Sequence, residues 1–265
     1  MADGALWVGD DTRGTAGGSG RKRDRRMTLP IPAADFAALV LFCLLWLGYG
    51  AIVARFGRHA INNRLGHVRA LWMTSALARD NRITDASLIG LVVHSASFFA
   101  STTLVAVGAL FGLLPGVDRL QAALANLSLA APASRTLLEW KVLLPLVVLV
   151  QGLFKFTWAI RQLNYTVALI GAMPPAPVHN SAAERLATAT GAVLSGALAT
   201  FNDGIRAYYF AIASLAWFAG PIPLAVAASL LMALLIHRQV GSGVSRNVRA
   251  ALEAADEAHA RRAGR

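Results

Sequence analysis

Five apolar stretches run through this chain, and the arginines between them fall almost entirely on alternate connections. Lipid offers no water to a backbone N–H or C=O, so apolar runs of this length are expected to be helices. The fold class expected is therefore all-α, a polytopic transmembrane helical bundle of about five spans. Span one runs from Ala33 to Ala54, span two from Ala86 to Leu114, span three from Val142 to Ile160, span four from Ile205 to Phe218 and span five from Ile222 to Ile236. The last two are short: at about 1.5 Å per residue they reach about 21 to 25 Å, less than a hydrocarbon core of about 30 Å. Joined, they would make a helix of about 50 Å that Gly220, Pro221 and Pro223 would break, so a tight turn at GPIP is expected.

With 56% hydrophobic and 15% charged residues, the chain is too apolar for an ordinary soluble domain, in which about 25% of residues are charged. One membrane domain, residues 31–240, is expected, with a disordered basic tail over 1–30 and a basic cytoplasmic tail over 241–265. The formal charge of +11 is dispersed over connections that carry no base-reading motif. The expected partner is thus a bilayer with anionic headgroups, and nucleic acid is not expected. Cys43 is the single cysteine and lies inside span one, which excludes an intramolecular disulfide and a cysteine metal cluster.

Arginine placement orients the spans. Arg55, Arg58, Arg64, Arg69, Arg79 and Arg82 separate spans one and two, Arg161 and Arg185 follow span three, and Arg238, Arg246, Arg249, Arg261, Arg262 and Arg265 follow span five. Those sides are expected to be cytoplasmic, which puts the C-terminus inside and the N-terminus in the periplasm. The segment from Pro115 to Lys141 on the opposite side sets Arg119, Arg135 and Lys141 against Asp118 and Glu139. The run RKRDRR ahead of span one conflicts with this scheme, because it would have to cross the membrane. A chain beginning at Met27 would present only MTLPIPAAD, which crosses easily, so residues 1–26 are expected to be dispensable or an upstream-start artefact.

Two further helices are expected on the cytoplasmic side. Ile61, Leu65, Val68 and Trp72 form one apolar stripe among arginines, the pattern of an interfacial helix on the leaflet. Ser181 to Thr200 opens with SAAE, a capping-box pattern, and continues in helix-compatible small residues.

Polar residues recur at helical spacing inside the spans, where lipid rejects them unless protein or water faces them. In span two, His94, Ser97, Ser101, Gly108 and Gly112 share a face, and GALFG offers a small-residue surface for helix packing and a possible homo-oligomer. In span three, Gln151, Lys155, Trp158, Gln162 and Tyr165 share another. Lys155 either snorkels to the headgroups or faces a wet cavity. At the cytoplasmic rim, Asp80, Arg82, Asp85, Arg161, Asp203 and Arg206 are candidates for an ionic collar joining spans two, three and four. Aromatic anchoring at the interface accounts equally well for Tyr208 and Tyr209. No carboxylate is read within the core of any span, so a proton or sodium relay has no candidate. Phosphate-loop, HExxH, GxSxG and CxxC motifs are absent, and no catalytic residue, cofactor or metal is expected.

The segments LLWLGYG (Leu44 to Gly50), RDNRITDASLIG (Arg79 to Gly90), SFFASTT (Ser97 to Thr103), FKFTWAIRQLNY (Phe154 to Tyr165) and FNDGIRAYYF (Phe201 to Phe210) carry a resemblance. Over Asp35 to Gln239 the chain resembles the uncharacterised membrane family catalogued as domain of unknown function 599. The resemblance implies a bacterial inner-membrane protein with a polytopic helical fold, and supplies no catalytic residues. The tail before Met27 departs from that family's usual start.

Three functions are compatible with these residues. The first is a channel or carrier for a small anion or polar solute, with Lys155 attracting it, Gln151, Ser97 and Ser101 lining its path, and Arg161 with Arg206 shaping the mouth. The second is a scaffold that packs against other membrane complexes. The third is a lipid-headgroup enzyme, for which His94 with Ser97 or Ser101 is the one constellation available.

Overall fold

The organising pair is α5 (Arg135–Gly171) and α6 (Ser181–Ser214), which run antiparallel, with Gly152 beside Ala207 and Gln162 beside Gly196. At about 1.5 Å per residue each exceeds 50 Å, well beyond a hydrocarbon core of about 30 Å. The computed structural model describes residues 31–55, 61–127, 130–175, 180–240 and 243–263, and every regular element among them is helical. The others are α1 (Ala33–Ala54), α2 (Ile61–Leu77), α3 (Ile83–Leu113), α4 (Val117–Ala125), α7 (Pro221–Val240) and α8 (Gly243–Ala263). The expected tail over 1–30, including Met27 and RKRDRR, lies outside the described residues, as do Arg58 and Arg265.

Local chemistry sets the ends of the long pair. The Ser134 side chain accepts the Leu137 N–H at 3.2 Å and opens α5, while Asn180 accepts the Ala183 N–H at 2.8 Å and opens α6. The cap of α6 is therefore Asn180, one residue ahead of the expected SAAE box. Pro145 lies within α5 without ending it, although it cannot donate to the Lys141 carbonyl four residues earlier. Between α6 and α7 the chain turns at GPIP as expected: Leu215–Ala219 tighten into a 3-10 turn, and Gly220 takes φ 130°, which a side chain would strain.

The main difference from the expected spans concerns α6. The cytoplasmic helix over Ser181–Thr200 and the short span over Ile205–Phe218 are one continuous helix. No proline interrupts the segment between them, and the glycines within it are needed for close packing. A Cβ at Gly204 would lie 2.5 Å from the Phe156 ring of α5, and one at Gly191 would lie 3.0 Å from the Ala70 backbone of α2. Span three likewise extends at both ends, so that α5 takes in Lys141 and Tyr165.

Among the described residues, four helical segments are long and apolar enough to cross a membrane: Ala33–Ala54, Ile83–Ala125, Arg135–Gly171 and Pro221–Gln239. Their outer faces are greasy, with Leu47 70% and Val105 74% exposed, the reverse of a water-soluble bundle. The protein is membrane-embedded. α6 falls outside this set because polar and charged residues run through it, and α5, α2 and α7 all pack on it.

Two cores divide the bundle along α5 and α6. At the end bearing Trp217, Phe42, Val148, Phe210, Trp217 and Leu224 are fully buried where α1 and α7 pair and pack on α5 and α6. At the end bearing Arg82, Met73 and Ala76 of α2, Ile89 of α3, Leu163 of α5 and Leu194 of α6 form the second core. α2 is thus a member of the bundle, packed on α6 through Met73 and Ala76, rather than a free stripe lying on a leaflet. The C-terminal segment contains α8, tied back to α2 by His67 Nε2 and Asp256 Oδ1 at 2.8 Å.

Candidate functional site

Lys155 and Gln162 of α5 face α6, and with Gln151 one turn before Lys155 they form a polar seam between the two cores. Lys155 Nζ lies 3.9 Å from Asp203 Oδ2, and Arg206 pairs with the other oxygen of the same carboxylate. The Arg206 guanidinium also lies 4.2 Å above the Tyr49 ring centroid, which brings α1 into the cluster. Two cations share one carboxylate, so the site keeps a positive excess. All three charged groups are partly solvent-accessible, so their mutual attraction is screened and the excess can be offered to a ligand.

The seam is also rich in acceptors. Gln151 Oε1 and Gln162 Oε1 are buried with no hydrogen-bond partner among the described residues, as are, outside the seam, Ser195 Oγ on the side of α6 that meets Gly66 of α2, and Gln239 Oε1 on α7. A buried amide oxygen left unsatisfied costs about 1 to 3 kcal/mol, so such groups are normally held by water or a ligand. From Gln151 to Gln162 the seam runs about 16 Å along α5. Beyond Gln151, toward the Trp217 end, Val148, Phe42 and Phe210 close it with apolar packing. Beside it, Phe99, Phe156, Phe201 and Tyr208 stack together, and Tyr208 bonds Thr103 at 2.8 Å.

The rest of the expected span-three face turns away. Trp158 is 50% exposed, and Tyr165 is exposed as well, accepting from Arg161 Nε at 2.8 Å. At about 100° per residue, Lys155 and Gln162 sit on one flank of that stripe, with Trp158 and Tyr165 on the other. The edge of α6 passes between them. The span-two residues do not join the seam either. His94, Ser101, Gly108 and Gly112 are exposed and Ser97 is half-buried. A Cβ on either glycine would meet nothing within 4 Å. His94 bonds neither Ser97 nor Ser101, whereas Ser95, Thr102 and Thr103 bond their own helix backbone.

The six expected collar residues fall into separate groups. Asp203 and Arg206 belong to the seam. Arg82 lies at the far end, donating to the carbonyls of Ala76 at 3.0 Å, Met173 at 2.9 Å and Pro174 at 2.6 Å, so that it ties off the C-termini of α2 and α5. Asp85, 1% exposed, accepts from Trp72 Nε1 at 2.6 Å and from Arg79. Asp80 is exposed and makes no ion pair among the described residues, and Arg161 is on the outer face.

Two buried charges were not anticipated. Asp35, third residue of α1, is 6% exposed and accepts from Trp217 Nε1 at 2.7 Å, so a carboxylate does lie inside a span. Lys141, expected in a connecting segment, is 1% exposed within α5 and in the electrostatic field of Asp35. The available signals were an Asp and a Lys inside otherwise apolar helical runs, DFAALVLF and WKVLLPLVV. Lys141 and Lys155 stand 14 residues apart on α5, about 21 Å, at opposite ends of the apolar core.

Comparison with curated proteins and with solved structures returns no match. The family model described as "Protein of unknown function, DUF599" matches residues 37–244, most of the chain, and the protein belongs to that family.

Proposed function

We propose that this protein is a multi-pass inner-membrane carrier or gated channel for a small anion or polar solute, entered from the Arg82 end. The observation that carries this reading is the α5–α6 seam, where buried, unpartnered oxygens of Gln151 and Gln162 flank the positive cluster of Lys155, Asp203 and Arg206. Groups of that kind are normally held by water or a ligand, and a hydrated basic groove at the Arg82 end of the membrane-crossing layer concentrates anions. The apolar layer of Phe42, Val148 and Phe210 then acts as the closed gate. On this reading the arginine-rich Arg82 end is cytoplasmic, with the C-terminus inside and the N-terminus periplasmic.

Flux of chloride and nitrate into liposomes containing the purified protein tests the proposal. Lys155→Met should lower anion flux about tenfold or more by removing a cation from the site. Flux equal to that of protein-free liposomes, or unaltered by Lys155→Met, would defeat it.

A scaffold role is favoured by one observation of its own. The outward stripe of His94, Ser101, Gly108 and Gly112 on α3 places polar and small residues where lipid contact is unfavourable, and a second copy of the chain would cover them.

A further inference from the structure

A cavity of about 290 Å³ opens at the Trp217 end, between α4 and the start of α5. Its walls include Leu124, Leu138, Phe218 and several alanines, and Lys141 is the one charged side chain that lines it. Asp35, the opposing charge, does not reach the lining and gives one oxygen to Trp217 Nε1 at 2.7 Å. Among the nearby donors, Gln121 Nε2 gives one of its two hydrogens to the Ala133 carbonyl at 3.0 Å, and the Ala131 N–H donates to the Phe218 carbonyl at 3.0 Å. What the cavity offers a polar ligand is therefore a lysine that is 1% exposed, with the second Gln121 amide hydrogen beside it. A desolvated ammonium gains most from an anion able to restore the charge-assisted hydrogen bonds it has lost to burial.

We propose that this cavity binds a small organic carboxylate, the carboxylate against Lys141 and the apolar body against Leu124, Leu138 and Phe218. The volume suits a molecule of about ten heavy atoms, one ring or a short chain bearing one acid group. Inorganic anions fit less well, because they would leave the apolar walls uncovered. The site lies at the opposite end of α5 from Lys155, and its existence does not depend on permeation through the seam.

Calorimetric titration of the full chain in lipid nanodiscs, with benzoate as probe and benzamide as its uncharged counterpart, tests this without any flux measurement. Saturable benzoate binding is expected, with benzamide weaker by about tenfold or more. Lys141→Met should weaken benzoate binding by a similar factor. Ala133→Trp fills the cavity from its wall while leaving Lys141 and Asp35 intact, and should abolish binding even if Lys141→Met fails to fold. The proposal is overturned if the unaltered protein shows no saturable benzoate binding, if benzamide binds equally well, or if binding survives Ala133→Trp.

Discussion

Arg82 illustrates how a single side chain can close two helices at once. Its guanidinium donates to carbonyls of Ala76, Met173 and Pro174, which lie at or just beyond the ends of α2 and α5, where helical carbonyls have no partner within their own helix. Arg82→Ala should destabilise the protein by about 2 to 4 kcal/mol, because several charge-assisted bonds are lost together. Arg82→Lys should recover only part of this, since an ammonium cannot reproduce the guanidinium fork. Thermal unfolding in detergent reads both, and an unchanged midpoint for Arg82→Ala would contradict the clamp. The charges of this region are legible in RDNRITD, but their pairing is not. Asp80 and Asp85 look equivalent in sequence, and the one that becomes buried against Trp72 and Arg79 is decided by where α3 meets α2. Trp217 and Asp35 are 182 residues apart, so no local pattern could have joined them.

Between elements, the glycines of α5 and α6 behave differently from those of α3. A Cβ at Gly152 would lie 2.8 Å from the Ala207 Cβ, and one at Gly204 would meet the Phe156 ring, so both sites allow the long helices to approach closely. Gly204→Ala should cost about 1 to 3 kcal/mol of stability, and Phe156→Leu in the same chain should return part of it by making room. Recovery absent in the double variant would mean that the ring is not the obstacle. Gly108 and Gly112 have open space around them, so Gly108→Ile should leave the stability of the monomer unchanged. If copies of the chain pack through this face, the same substitution should shift the oligomer to monomer in cross-linking and light scattering. The same contrast explains which helices the sequence revealed. α1, α3 and α7 announce themselves by apolar runs, whereas α6 packs against α5, α2 and α7 and carries Asn202, Asp203 and Arg206 in its middle. A hydropathy reading divides such a helix at its polar centre, although the backbone passes through it unbroken.

At the scale of the whole molecule, two charged layers bracket the apolar core. Asp35, Lys141 and Trp217 mark one, and Tyr49, Lys155, Asp203 and Arg206 mark the other. Helix rise sets them about 21 Å apart along both α1 and α5, short of a hydrocarbon thickness of about 30 Å, so a bilayer lying between them is expected to thin locally. The second core, with α2 and the ends of α5 and α6, then stands outside the membrane. This arrangement requires α6 to be a fifth crossing despite its polar composition, because Ser181 belongs to the Arg82 end and Ala219 to the Trp217 end. Single cysteines introduced in a Cys43→Ser background test it with an impermeant maleimide on intact spheroplasts. Thr136→Cys and Ala219→Cys should label directly, and Ala182→Cys and Ala254→Cys only after permeabilisation. Labelling of Ala182→Cys and Ala219→Cys from the same side would remove α6 from the membrane. A complete inversion of the pattern would keep all five crossings but reverse the orientation, so that the basic seam would open to the periplasm. The anions it gathers would then come from outside the cell.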